Sequence, residues 1–341
     1  MTKYPMTKEY RTPNDEPEMP SFGVRLSGCL RHWILRHPSF GYGTSQRLAY
    51  LLMLVSAAAF AAMSACSHAL ATRCDWRLVT VARGGVAFAL TAWLARATGV
   101  RVLFRWPRTL WMRSVVGSFS MLFTFYALTG SDLPVSTAVT LFNTFPIWVT
   151  LLAWPVLRER PSAAFLVVLA CSITGVVLIE QGLPAESAGL PGVGSARGAI
   201  ASALLAAVCT AIVMLGLHRL RTINSLAIVV HFSGVATIAV VGFAVATVLS
   251  GWPIDPRALR DPVTVALLAG VGGLATIGQI AMTRAFSLGR PQRLAVVGLS
   301  QVVFVLGFDV GLWDYRLEPA NLAGLALILG PVAWLVGRRR P

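Results

Sequence analysis

Acidic side chains are scarce in this chain. Asp and Glu number 14 in 341 residues against 29 Lys and Arg, and charged residues together make up only 13% of it. A soluble domain carries about a quarter charged residues, so most of this sequence is not built to face water. Cysteine is sparse too. Of five, Cys66, Cys171 and Cys209 lie in apolar runs, which excludes a disulfide framework, and no cysteine or histidine spacing suits a metal. HExxH, GxSxG and P-loop motifs are missing. The polar segments are short, and loop carboxylates such as Asp255 and Asp261 are spaced like solvated turns. An integral-membrane enzyme or an ATP-driven machine is therefore disfavoured, and no cofactor is expected.

What is abundant is apolar surface, with 56% hydrophobic residues. Between Ala49 and Gly337 the chain forms about ten apolar runs, each of roughly 17 to 25 residues, long enough to cross a bilayer as helices. The expected spans are 49–70, 77–97, 109–129, 133–155, 163–182, 198–218, 224–250, 263–287, 291–312 and 319–337. The fold class is an all-α polytopic membrane protein with the lipid bilayer as its surroundings. The first span, preceded by a polar, proline-rich stretch, is expected to be both signal and anchor.

A net charge of +15 raises the question of nucleic acid, but the basic residues follow topology instead. Counted in alternate segments, one side holds 22 Lys and Arg and the other 6, with Arg83 left over inside the second span. The crowded side includes the amino-terminal tail, the segment from Arg96 to Arg113 and the final Arg338, Arg339 and Arg340. The positive-inside rule then puts both termini in the cytoplasm of a multi-pass protein of the inner membrane. In the tail, Val24, Leu26, Leu30, Trp33 and Ile34 alternate with Arg25, Arg31, His32 and Arg36, the pattern of a basic amphipathic helix on the inner leaflet.

The ten spans fall into two groups of five across the linker PAESAGLPGVGSAR. The expected organisation is a basic tail at 1–48, a five-helix repeat at 49–183, a linker at 184–197, a second repeat at 198–337 and a basic end at 338–341. The runs 49–70 and 198–220 are both alanine-rich and end SHAL and LHRL. Pro146 stands 13 residues before Glu159, and Gln301 stands 13 before Asp314. Pro161 and Pro319 then open the next spans. Because each unit has an odd number of spans, the second enters the membrane from the opposite side, giving two inverted five-helix repeats.

The stretches VARGGVAFAL, YALTGSDLPVSTAVTLFNTFPIWVTLLAWPVLRER and TRAFSLGRPQRLAVVGLSQVVFVLGFDVGLWDYR resemble the duplicated EamA domains of the drug/metabolite transporter superfamily. That resemblance covers roughly residues 48–337. It implies ten helices, cytoplasmic termini, and export or exchange of a small metabolite through a central cavity. The chain departs from the family pattern where Arg158 replaces a glycine before Glu159, and where Gln301 and Asp314 replace a proline and a glutamate.

Polar groups at membrane depth are the site candidates, since lipid offers them no partner. Arg83, Tyr126, Asn143, Gln279, Gln301 and Asp309 are the candidate substrate-binding residues, with His231 a weaker one. Arg83 suits a substrate carboxylate or a pairing with Asp309. Arg293, Gln301 and Asp309, spaced by eight, share a broad sector of one continuous helix, and Gly307 and Gly311 form a GxxxG pair on another face. Asp309 is the candidate for a coupling proton. The expected function is a secondary transporter exporting a small solute by alternating access, proton-coupled or exchange-driven. A facilitative channel or membrane scaffold is the alternative, and the sequence is compatible with a homodimer.

Overall fold

A computed structural model describes residues 42–70, 73–102, 107–129, 141–157, 161–181, 196–251, 254, 256–313 and 317–337. The tail helix, the linker and the Glu159 and Asp314 turns lie outside the described residues. The chain divides into two units, Met1–Arg36 and His37–Pro341, and the second contains every element below.

The described residues form α-helices and no strand. These are α1 (Tyr42–Leu70), α2 (Trp76–Thr98), α3 (Arg108–Thr129), α4 (Phe145–Leu157), α5 (Ala163–Gln181), α6 (Ala196–Arg219), α7 (Ser225–Leu249), α8 (Pro262–Leu288), α9 (Pro291–Gly298), α10 (Ser300–Trp313) and α11 (Pro319–Gly337), with a short 3-10 turn at Pro256–Arg260. Six helical stretches are long and apolar enough to cross a membrane, and others are shorter but equally apolar. The chain is a multi-pass helical membrane protein.

The helix ends follow local chemistry. Asp75 caps α2 by accepting from the Arg77 N–H, Asn224 caps α7, and Asp261 caps α8 by accepting from Val263 and Thr264. Proline opens α8, α9 and α11, where its missing N–H costs nothing. Gly99 ends α2 with φ at +69°, a left-handed cap that suits glycine.

Two breaks depart from the expected spans. The ninth carries a one-residue turn at Leu299, between α9 and α10, so Arg293 lies in a different helical segment from Gln301 and Asp309. In the fourth, a turn at Asn143 and Thr144 precedes α4. Pro146 explains that turn, since its missing N–H cannot donate to the Phe142 carbonyl one turn back. The Thr144 and Ser300 hydroxyls donate to the Leu141 and Val297 carbonyls at 2.6 and 2.7 Å, holding the chain at each break. Taking Pro146 and Gln301 as counterparts, 155 residues apart, Leu299 corresponds to Thr144.

Helix packing is likewise paired. α1 lies along α8, α3 along α6, α2 along α7 and α5 along α11, while smaller contacts join α2 to α8, α3 to α7, α1 to α10 and α4 to α6. The α1 and α6 faces are small: Ala49, Ala57, Ala61, Ala203, Ala206, Ala207 and Ala211 are all buried. α5 and α11 touch backbone to backbone, because a Cβ at Gly175 would lie 2.7 Å from the Gly324 carbonyl oxygen and one at Gly324 would lie 2.6 Å from that of Gly175. Next to this crossing the buried Asn321 amide donates to the Ile179 carbonyl at 3.2 Å. By contrast, a Cβ at Gly307 or Gly311 would meet nothing within 4 Å, so the expected GxxxG contact is not made among the described residues.

At the end of the bundle that holds Asp75 and Asp261, two links join α2 and the turn before it to α7 and α8. Arg73 pairs with Asp261 at 3.2 Å, and Arg77, held by Asp75, donates to the Thr247 hydroxyl at 3.0 Å.

Candidate functional site

A cavity lies where α2, α3, α7 and α8 meet. It is lined by Arg83, Gly84 and Ala87 from α2, Met121 from α3, Phe232, Ser233 and Ala236 from α7, and Ala275 and Gln279 from α8. Its volume is only about 30 Å³, room for little more than one water. Small residues create this space: Gly84 faces Thr237, and Gly272 of α8 faces Val86 of α2 so closely that no side chain would fit.

Arg83 stands seven residues into α2, about 10 Å along its axis. Among the described residues its guanidinium has no ion-pair or hydrogen-bond partner, and Asp309 does not pair with it. Gln279, almost fully buried across the cavity, is likewise without a hydrogen bond. The wall thus presents the Arg83 guanidinium, the Gln279 amide and the Ser233 hydroxyl, with no carboxylate. Removing a charge from water carries an effective penalty of several kcal/mol even after relaxation, so a cation left without a mate is a specific feature of the site.

A second guanidinium lies nearby. Arg113, counted in the sequence with the basic segment that leads into the third span, is inside α3 with a relative exposure of 0%. Among the described residues its Nε, Nη1 and Nη2 atoms have no hydrogen-bond partner, and its Cζ sits 4.2 Å from the centroid of the Phe232 ring. Arg113, Gly117 and Met121 recur every four residues and form one stripe along α3. The Phe232 ring crosses that stripe at Gly117, where an added Cβ would lie 2.8 Å from its Cε2. One aromatic ring therefore touches the Arg113 guanidinium and also lines the cavity that contains Arg83 and Met121. Beside it the His231 Nδ1 shares a proton with the Ser114 hydroxyl at 2.8 Å, and Trp111 meets the imidazole edge-on at 4.7 Å.

Of the sequence candidates, Arg83 and Gln279 come together here. The other four do not line this cavity. Tyr126 is exposed on α3, Asn143 occupies the turn before α4, and Gln301 and Asp309 are half-buried on α10, where Asp309 has an interaction of its own. Sequence reasoning missed Arg113, Ser233 and Phe232. The signal for Arg113 was the Gly117 four residues on, which marks a close helix contact and thus an interior face.

Residues 47–181 match the model of the EamA-like transporter family. A pseudopaline exporter, CntI, of Pseudomonas aeruginosa is 25% identical over 279 residues, spanning 82% of this chain and 92% of that protein. Its counterpart in a second strain is 24% identical over 281 residues, with the same shares. An uncharacterized transporter of Helicobacter pylori is 26% identical over 224 residues, 65% of this chain and 71% of that one. A solved crystal structure shares the fold with a TM-score of 0.68 at 19% identity, covering 85% of this chain and 96% of its own.

Proposed function

We propose that this chain, whose residues 47–181 belong to the EamA-like transporter family, is a secondary carrier that exports a small metabolite across the cytoplasmic membrane. Two inverted units of five spans each, α1–α5 and α6–α11 with α9 and α10 as one broken span, alternate access to the cavity between them, with both termini in the cytoplasm. The observation that carries this reading is the position of the cavity, whose walls come from α2 and α3 of one unit and α7 and α8 of the other.

The packing supports the duplication. Exchanging each helix for its counterpart turns the α1 and α8 pair into the α6 and α3 pair, and the α2 and α8 pair into the α7 and α3 pair. It also turns the α1 and α10 contact into the α6 and α4 contact, and maps the α2 and α7 pair and the α5 and α11 pair onto themselves. The two helix breaks fall at equivalent places, as inverted-repeat carriers with discontinuous helices have them. Export is the direction suggested by the Pseudomonas relatives, which are named exporters.

In the described conformation the cavity is too small for a metabolite, so solute enters only when helices part. The links from Arg73 to Asp261 and from Arg77 to Thr247 cross between the units at one end and would open with that end. Asp309 is retained as the carboxylate for a coupling proton, checked by whether Asp309→Asn changes the pH dependence of flux.

Counterflow in proteoliposomes tests the carrier reading. Purified protein is reconstituted, and vesicles are preloaded with one unlabelled member of a panel of amino acids, di- and tricarboxylates, nucleosides or cationic dyes and challenged with its labelled form. Saturable uptake, stimulated by the same solute inside, is expected for at least one class. Uptake without saturation or stimulation would identify a channel, and no uptake in any class would remove the carrier reading.

A further inference from the structure

Building on the carrier reading, we infer that the solute is an oxyanion, a carboxylate being the chemistry that fits, and that Arg83 and Arg113 are two stations on its path, with the Phe232 ring between them. The first support is charge without a counter-charge. The cavity wall holds Arg83 and no acid, and Arg83 has no partner among the described residues. Gln279 and Ser233 supply a neutral amide and a hydroxyl, which complement a carboxylate already held by a guanidinium.

The second support is independent of the cavity. Arg113 is fully buried, and none of its three guanidinium nitrogens has a hydrogen-bond partner. A structural arginine in a membrane protein is normally satisfied by carboxylates or backbone carbonyls. The face of Phe232 lies 4.2 Å from its Cζ and satisfies none of those donors. Beside Phe232 on the same turn of α7, His231 is bonded to Ser114, and among the described residues no carboxylate pairs with Arg113.

The third is order along the path. Arg113 precedes Met121 by eight residues on one stripe of α3, about 12 Å along the axis, towards the end that begins at Arg108. Phe232 rests on the stripe between them at Gly117. With the basic end of α3 in the cytoplasm, an anion leaving the cell meets Arg113 first, displaces the aromatic ring and reaches Arg83. The two cations have no partner in the repeat: with Gly84 opposite Thr237, Arg83 corresponds to Ala236, and at the offset of the helix breaks Arg113 corresponds to Leu268. The charge is thus an addition to one half of a duplicated frame.

The experiment uses the full chain in liposomes of phosphatidylcholine alone and of phosphatidylcholine with phosphatidylglycerol. Counterflow is measured for labelled glutamate, succinate and citrate and for the neutral nucleosides and cationic dyes. The expected result is counterflow for a carboxylate in both lipids, lowered about tenfold or more in Arg83→Gln and partly restored in Arg83→Lys. Arg113→Met adds a readout that a structural role would not give. Its melting temperature should rise, because an unpartnered charge leaves the interior, while carboxylate counterflow falls. Counterflow confined to neutral or cationic solutes, or unchanged in Arg83→Gln, overturns the inference and leaves the carrier standing. A lower melting temperature for Arg113→Met makes Arg113 a structural anchor and removes it from the path. A melting temperature of Arg113→Met that rises only without phosphatidylglycerol would assign that guanidinium to a lipid phosphate and likewise remove it. No counterflow in any class overturns carrier and inference together.

Discussion

Replacing Gly324 by alanine should be one of the most costly single-methyl changes in the molecule. The new Cβ would lie 2.6 Å from the Gly175 carbonyl oxygen, 2.7 Å from Ile179 Cγ1 and 3.1 Å from the Ile179 nitrogen. Carbon contacts are at rest near 3.5 to 4.0 Å, so α5 and α11 must part by roughly 1 Å. Two of those three atoms are backbone and have no rotamer into which to retreat. The Asn321 amide bond to Ile179, at 3.2 Å, would then stretch past hydrogen-bonding distance. Overpacking costs about 1 to 3 kcal/mol and the stranded buried amide about as much again, giving on the order of 2 to 5 kcal/mol. Thermal melting in detergent, followed by size-exclusion of the surviving fraction, measures it. Gly330→Ala on the same helix is the control, since its Cβ would meet nothing within 4 Å. The double change Gly175→Ala with Gly324→Ala should cost much less than the sum, because one separation accommodates both methyls. If Gly324→Ala melts with Gly330→Ala, the two helices are not in backbone contact and the reasoning fails.

Asn321→Leu should destabilise by about 1 to 3 kcal/mol, since it strands the Ile179 carbonyl and the Glu318 N–H that the side chain now satisfies; the same melting assay reads it. For Asp75, burial pushes the carboxyl upward, but the hydrogen bonds and charge of Arg77 outweigh it and hold the carboxyl below its usual range. A lowered carboxylate stabilises the fold above its unfolded value and loses that contribution as pH falls through the folded one. Melting temperature should therefore decline below about pH 4, and Asp75→Asn should flatten part of that decline while costing under about 1 kcal/mol at neutral pH. Asp261→Asn, which removes the exposed pair with Arg73, should leave the melting temperature nearly unchanged at ordinary ionic strength and lose what little salt dependence the pair confers. Gly117→Val should displace the Phe232 ring and slow flux more than it lowers stability, measured as counterflow against melting on one preparation.

Much of this fold could be read from punctuation. Asp75 and Gly99 bound α2, Asp261 with Pro262 opens α8, and Pro319 opens α11, and in each case the residue that stops or starts a helix does so through its own backbone or side chain. The break at Leu299 carried a fainter mark. Beside Gly298, only Ser300 and Gln301 interrupt the apolar letters from Leu294 to Leu306, and polar letters so few inside such a run do not announce a turn. Arg83 and Gln279 stood out as polar letters within apolar runs, and the cavity joins them. Arg113 did not, because a charge near the start of a run is indistinguishable from a loop residue until its depth in the packed bundle is known. Asp309 was legible as a letter only. Its neighbours are set by which helix lies alongside α10, and no local pattern encodes that.

The alanine faces of α1 and α6 have a mechanical meaning beyond tight packing. Their methyl groups let the neighbouring helices come close enough for a side-chain hydroxyl to reach a backbone carbonyl across the contact: Ser56 of α1 donates to the Gly278 carbonyl of α8 at 2.9 Å, and Ser120 of α3 to the Ala206 carbonyl of α6 at 3.0 Å. The contacts of α1 with α8 and of α3 with α6 are therefore latched as well as close, and the Phe60 ring of α1 also rests on Gly278. The glycine crossing of α5 and α11 fixes register in another way, peptide against peptide. In each of these three pairs a helix that slides along its neighbour must break a hydrogen bond or leave a glycine seat, so small residues here set position and not merely distance.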